Sequence, residues 1–294
     1  MHPVHLTYVI HGATGAQGAP VVTALAAADK SVVALTRNAE ATVAGARVVA
    51  ADYSSVENLT AVYRDAEGVF IHLPIVAEED RRACARNVVA AVRAAQPDRV
   101  VFSTSGFVLD DPGNGYQDGT AESAVATLAD GLAGSGVSYA VIEPRLFFEN
   151  LLMPHVVGAV REQGVLRYPL PDGFRVSWAS HLDIADVAAA LFERQDVTGV
   201  VAVGQYPAIT GQDLAEAFSV RLGRDAVYEV ITPDAFRASA APLIGEGPAA
   251  DVADSYKAMG ALPDRSITPE RSAQKLLGIT PRTAIQWLTD IGVA

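Results

Sequence analysis

Near its N-terminus the sequence runs from a β-branched stretch directly into Gly12-Ala13-Thr14-Gly15-Ala16-Gln17-Gly18 and then into an Ala-rich segment. A strand that turns through regularly spaced glycines into a helix has few uses. Without Cβ atoms the backbone can turn tightly and approach a bound group, and the helix N-terminus aims free N–H groups at it. A diphosphate bridge is the ligand that such a turn fits best, although a tight strand-to-helix turn in an Ala-rich chain can look the same.

The surrounding pattern supports the ligand reading. Short β-branched runs at 4–10, 31–35, 47–50, 68–73, 99–102 and 137–142 read as strands, and Ala-rich stretches at 18–28, 78–95 and 121–132 read as the helices between them. This alternation predicts an α/β fold of Rossmann type, a doubly wound parallel sheet, with a smaller α/β C-terminal substrate domain. After Pro144 the pattern changes, with Pro154, Pro169, Pro171 and Gly173 marking irregular chain around a helix at 150–163. We therefore expect a nucleotide domain over 1–153, with 181–204 returning to it, and a smaller unit from 154–180 and 205–294. Further helices are expected at 182–194 and 233–241, and strands at 200–203 and 226–231. Thr210 reads as an N-cap, the Gly/Pro-rich stretch 244–250 as a loop, and Thr268-Pro269 and Thr280-Pro281 each as a capping residue followed by Pro at the first helical position.

The end of the second strand separates the two common dinucleotides. A site for NAD usually offers a carboxylate to the ribose hydroxyls there, but this chain offers Leu35-Thr36-Arg37-Asn38, and the nearest acid is Glu40. Arg37 suits a 2′-phosphate and points to NADP(H); the alternative is an ordinary surface arginine at a strand end. The expected cofactor contacts are Gly12, Thr14, Gly15, Ala16, Gln17, Gly18 and Arg37. Asp52 and Tyr53 stand past the third strand, where Asp52 can meet the adenine amino group or cap the following helix. His72, Leu73 and Pro74 follow the fourth strand and Ser103 and Thr104 the fifth, along the edge where ligands bind such sheets. His72 can equally be a satisfied strand-end residue.

Composition removes several classes. A formal charge of −12 disfavours nucleic acid. Cys84 is the only cysteine, so neither an internal disulfide nor a thiolate metal cluster can form, which fits a cytoplasmic setting. We read no signal peptide, no membrane span and no metal site; a small-molecule substrate is the expected partner, and a homodimer is compatible with the sequence.

Gly12-Ala-Thr-Gly-Ala-Gln-Gly18, Thr36-Arg37-Asn38, Gly68-Val-Phe-Ile-His-Leu-Pro74, Val100-Val-Phe-Ser-Thr-Ser-Gly106, Phe147-Phe-Glu-Asn150 and Asp183-Ile-Ala-Asp186 together resemble the NmrA-like group of atypical short-chain dehydrogenases/reductases. The resemblance continues through 214–223 to Pro281-Arg-Thr and spans nearly the whole chain. It implies a cleft between the two units, with Pro144 and Phe147 on the nicotinamide side. Members of the group include quinone, isoflavone-type and dye reductases and also dinucleotide-binding regulators.

The departures bear on chemistry. Typical short-chain dehydrogenases carry Tyr-x-x-x-Lys, in which the lysine lowers the tyrosine pKa. No tyrosine here has lysine four residues on, and Tyr116 is followed by Thr120. Where many catalytic NmrA-like members place a lysine before the sixth strand this chain has Asp130, and the arginine often found before the following proline is Glu143. Hydride transfer to a quinone, enone or carbonyl remains open, because it needs chiefly a positioned pair of carbons in a dry pocket. Ser105, Tyr116 and His181 are the candidate catalytic groups, and Phe107, Phe148, Phe174 and Trp178 the candidate walls for a flat substrate. The same aromatics could be packing between units. The expected function is an NADPH-dependent oxidoreductase of a small quinone, enone or carbonyl metabolite; the alternatives are a non-catalytic NADP(H) sensor and a non-redox tailoring enzyme.

Overall fold

The computed structural model describes residues 7–109 and 123–293. The first half runs β1 (Thr7–His11), α1 (Gly18–Ala27), β2 (Ser31–Thr36), β3 (Arg47–Ala50), α2 (Val56–Tyr63), β4 (Ala66–His72), α3 (Glu78–Ala95), β5 (Arg99–Ser103), α4 (Ala124–Ala133) and β6 (Ser138–Pro144). It continues with β7 (Leu146–Phe147), α5 (Pro154–Gln163), β8 (Val165–Tyr168), β9 (Trp178–Ala179), α6 (His181–Glu193) and β10 (Gly199–Val203). The last part holds α7 (Gly211–Leu222), β11 (Val227–Val230), α8 (Pro233–Ile244), α9 (Glu246–Gly260), α10 (Ala273–Leu277) and α11 (Ala284–Asp290).

Seven strands form one parallel sheet in the order β10-β6-β5-β4-β1-β2-β3. The chain builds outward from β1 to β3 and then crosses to β4, so the crevice of this Rossmann-like sheet opens between β1 and β4. Alternate side chains face opposite layers. Tyr8, Ile10, Phe70, Ile142 and Val201 pack with Val21, Leu25, Ile184 and Leu191 of α1 and α6. On the other face Val9, Leu35, Val69, Ile71 and Phe102 pack with Leu59, Val88, Val92 and Leu128 of α2, α3 and α4. Each such buried side chain contributes roughly 1.5–3 kcal/mol, which is why these strands read as nearly continuous apolar runs.

A separate core gathers Phe148, Leu166, Tyr168, Trp178, Phe218, Phe236, Met259 and Trp287 from outside that sheet. Phe148 lies between the indoles, stacked 5.7 Å from Trp178 and 5.0 Å from Trp287. Small parallel pairs, β8 with β11 and β7 with β9, frame it.

Four local expectations need correction. The 244–250 stretch is no loop: α8 ends at Gly245, whose φ is 90°, and α9 starts at Glu246 with Ala249 fully buried. Its Gly and Pro mark a helix–helix corner, since Pro248 sits in the first turn where an amide partner is not required. Thr268 makes no side-chain cap, and Pro269 opens only a 3-10 turn, Pro269–Arg271. Nor does Pro281 open the last helix, because Thr283 caps α11. Arg282 is held before that cap by Asp183, Asp186 and Asp290, with N–O distances of 2.7–2.8 Å. The helix expected at 150–163 also divides, into a 3-10 turn Phe148–Leu152 and α5, which begins at Pro154.

Candidate functional site

The glycine loop joins β1 to α1 at the crevice. Gly12 takes φ +57° and accepts from the Gly15 amide at 2.7 Å, while the Ala13 amide donates to the Leu35 carbonyl at 3.3 Å. A Cβ on Gly18 would stand 2.3 Å from the Gly12 oxygen and 2.5 Å from the His11 oxygen. One on Gly12 would stand 2.3 Å from His72 Nε2. Thr14 and Ala16 form the exposed crest of the turn. Among the described residues the amides of Ala16, Gln17 and Gly18 have no acceptor, and no side chain caps α1. Open amides at a helix start with bare backbone around them fit a diphosphate.

Gln17 ties this loop to the end of β5. Ser103 Oγ donates to its Oε1 at 2.7 Å, and its Nε2 donates to Ser105 Oγ at 2.9 Å. Ser105 has φ +59°, a strained value for a residue with a side chain, and Thr104 is fixed through its amide to Ile142 O and its hydroxyl to Phe107 O. Leu73, Ser103, Thr104 and Pro144 are buried at these strand ends.

Toward β2 and β3 a groove of about 440 Å³ is lined by Arg37, Ala50, Ala51, Asp52 and Asn58. Asp52 does not cap α2. Its carboxylate accepts from the Ser54 amide at 2.8 Å and from the Ser54 hydroxyl at 2.5 Å, bonds that lower its pKa, and Ser55 is the cap. Tyr53 covers His11, edge to face at 4.9 Å. His11 is buried under the loop with Nε2 2.6 Å from the Tyr63 hydroxyl, and burial pushes its pKa down to about 3, so it stays neutral.

Toward β4 and β6 lies a second polar group. His72 presses on Gly12 with a buried Nε2 that has no hydrogen-bond partner; burial lowers its pKa, and His181 nearby acts in the same direction. The rings of His181 and Phe147 are 4.4 Å apart. Glu149 Oε1 accepts from Ser180 Oγ at 2.7 Å and from the His181 amide at 3.0 Å, leaving Oε2 3.9 Å from His181 Nδ1. Burial lowers the His181 pKa, and the Glu149 charge opposes that shift.

The structure thus brings Gly12, Gln17, His72, Ser103, Ser105, Phe147 and His181 around the loop, with Arg37 and Asp52 at its far side. It places the four aromatics differently. Phe148, Phe174 and Trp178 are enclosed in the second core and present almost no surface, while Phe107 packs on the α3 side beneath Arg81, whose guanidinium is 5.0 Å from the ring centre. Tyr116 falls outside the described residues. Asp130 is exposed on α4. Glu143 is buried and accepts from Arg145 Nη1 at 2.6 Å and from the Leu109 amide at 2.8 Å, which gives it an anchoring role. Sequence reasoning missed Glu149 and Ser180 as site residues; the Ser180-x-x-Asp183 spacing of a capping box, which the structure forms, was the available signal for Ser180.

The sequence profile of the NmrA-like family matches residues 6–276. The chain belongs to this family. Among solved structures it is similar to the NADPH-dependent quinone oxidoreductase of Escherichia coli complexed with NADPH, at 23% identity and TM-score 0.76 over 98% of this chain and 100% of that one. It is also similar to the triphenylmethane reductase of Citrobacter sp. complexed with NADP(H), at 20% identity and TM-score 0.78 over 96% and 99%. A nucleoside-diphosphate-sugar epimerase from Staphylococcus aureus gives 19% identity and TM-score 0.77 over 96% and 99%. At such identities the likeness is one of fold. A comparison with curated protein sequences finds no match. Among the described residues of this NmrA-like chain no group of His, Cys, Asp or Glu could hold a metal ion, and no helix is long and apolar enough to cross a membrane.

Proposed function

We propose that this NmrA-like protein is an NADP(H)-dependent reductase of a small quinone, enone or carbonyl compound. The observation that carries the reading is the pairing of open amides at 16–18 with a groove that offers Arg37, and no carboxylate on β2 itself, where the adenosine ribose would lie. The amides would hold the diphosphate, Arg37 the 2′-phosphate and Asp52 the adenine amino group. Hydrogen bonds to charged groups are worth roughly 1.5–3 kcal/mol each, enough to choose between the coenzymes. Two solved neighbours are named as complexes with NADPH or NADP(H), which supports the same assignment.

When bound, the nicotinamide supplies a hydride to an electrophilic carbon. On this reading the chain's part is to orient that ring between the ends of β4, β5 and β6, with Phe147 beside it, and to keep water out. The unit built on the second core would close over the acceptor. The net charge of −12 supports a small-molecule acceptor over a nucleic acid.

The test is NADPH consumption at 340 nm with a panel of quinones, enones and carbonyls. Turnover with at least one acceptor, faster with NADPH than with NADH, is the expected result. Binding of both redox forms with no turnover across the panel would replace it with a sensor role.

A further inference from the structure

The proton that must accompany hydride transfer has no donor of the Tyr-x-x-x-Lys kind here. On the reductase reading, we propose that His181 is that proton donor and that Glu149 is the residue that positions it. The sheet order sets the location: Arg37 follows β2 on one side of the glycine loop, whereas His72 ends β4 and Phe147 follows β6 on the other. His181 stands on this second side, with its ring 4.4 Å from that of Phe147. It therefore stands at the end where the nicotinamide half of a dinucleotide would lie.

The dyad is built for a proton. Glu149 is locked through Oε1 by the hydroxyl of Ser180, the N-cap of α6, and by the amide of His181, its first residue. Its Oε2 is buried without a hydrogen-bond partner and faces His181 Nδ1 at 3.9 Å. From 3.9 Å the carboxylate favours the protonated ring through its charge and makes no hydrogen bond to it, so the Nε2–H of that imidazolium is the group to give away. The His181 side chain keeps 15% of its surface open. Its titratable neighbours are Glu149 from the turn after β7 and His72 from β4, whose burial favours the neutral ring; Asp183 on its own helix is bound to the Ser180 amide and to Arg282. Burial works against the imidazolium and Glu149 works for it.

Among the described residues the competitors are worse placed. His72 Nε2 is sealed against Gly12, His11 lies under the loop against Tyr63, and Ser105 Oγ is engaged by Gln17 with an alcohol's low acidity. With NADPH as the two-electron reductant, the acceptor carbon would gain a C–H bond as the nicotinamide C4–H bond breaks with its electron pair, and the C=O π pair would move to oxygen. That oxygen forms an O–H bond as the Nε2–H bond breaks, and solvent returns the proton to Nε2. One acceptor, one NADPH and one proton give the reduced product and NADP+.

The first readout needs no cofactor. Two-bond ¹H–¹⁵N spectra of the full-length protein, with His181 assigned by His181→Gln, should show its titration midpoint falling by about one pH unit in Glu149→Gln, which loses the carboxylate charge and keeps an acceptor for Ser180. With an acceptor that the wild type reduces, His181→Gln should lower kcat about 100-fold. It should also abolish the pH dependence assigned to this group and leave NADPH affinity unchanged by calorimetry. Glu149→Gln should shift that pH dependence down by the same unit. An unmoved midpoint in Glu149→Gln, or a wild-type kcat and pH profile in His181→Gln, would overturn the assignment. A 100-fold loss in Ser105→Ala with none in His181→Gln would overturn it in favour of the hydroxyl. If the wild type reduces no acceptor at all, the failure belongs to the reductase reading; a normal His181→Gln enzyme fails this proposal alone.

Discussion

At the carboxyl edge of the large sheet Gly12 and Gly18 pack so closely that neither has room for a Cβ, and among the described residues the amides of residues 16–18 have no acceptor. In the second core, by contrast, Phe148, Trp178 and Trp287 stack on one another with 0–1% of their surface exposed, and Tyr168 and Tyr256 meet through their hydroxyls. One region withholds side chains and leaves backbone amides unsatisfied. The other uses its largest side chains to complete itself. Aromatic content alone is therefore a poor guide to where a flat ligand binds, and missing side chains can be a better one.

The contrast can be broken most forcefully in the aromatic core. Phe148→Ala should cost about 3–5 kcal/mol of stability in a denaturant titration, because a buried ring between two indoles leaves a cavity that cannot close. NADPH affinity should hardly change. Little loss of stability with a large change in acceptor KM would show that Phe148 is a pocket wall after all. A smaller effect sharpens the other side of the comparison. Arg37→Asp should weaken NADP(H) roughly 10- to 100-fold, in line with about 1.5–3 kcal/mol for a charged hydrogen bond, and should spare NAD(H). Equal losses for both coenzymes would remove Arg37 from the 2′-phosphate.

What the sequence made legible follows from how local each cause is. The strands and helices of the first half were readable because a parallel sheet buried on both faces demands continuous apolar runs, and the loop because φ +57° at Gly12 and the contact at Gly18 depend on neighbours in the chain. The Thr210 cap was readable for the same reason, being closed by Asp213 three residues on. Features fixed by distant partners were not. Glu149 takes its role from Ser180 and His181, some thirty residues away. Trp287 finds Phe148 across nearly half the chain, and Arg282 pulls the start of α11 past Pro281 by binding Asp183. The 244–250 stretch misled because Gly and Pro serve a helix–helix corner as well as a loop.

On the proposed reading, the open amides after the first strand grip a nicotinamide dinucleotide. Titration calorimetry of the folded protein with NADPH and NADH tests it most directly, with Gly18→Ala as the control, since its added methyl would stand 2.3 Å from the Gly12 oxygen. The wild type should give saturable heat for one NADPH per chain and weaker binding of NADH, and Gly18→Ala should lose both. No heat from either coenzyme with the wild type would contradict it.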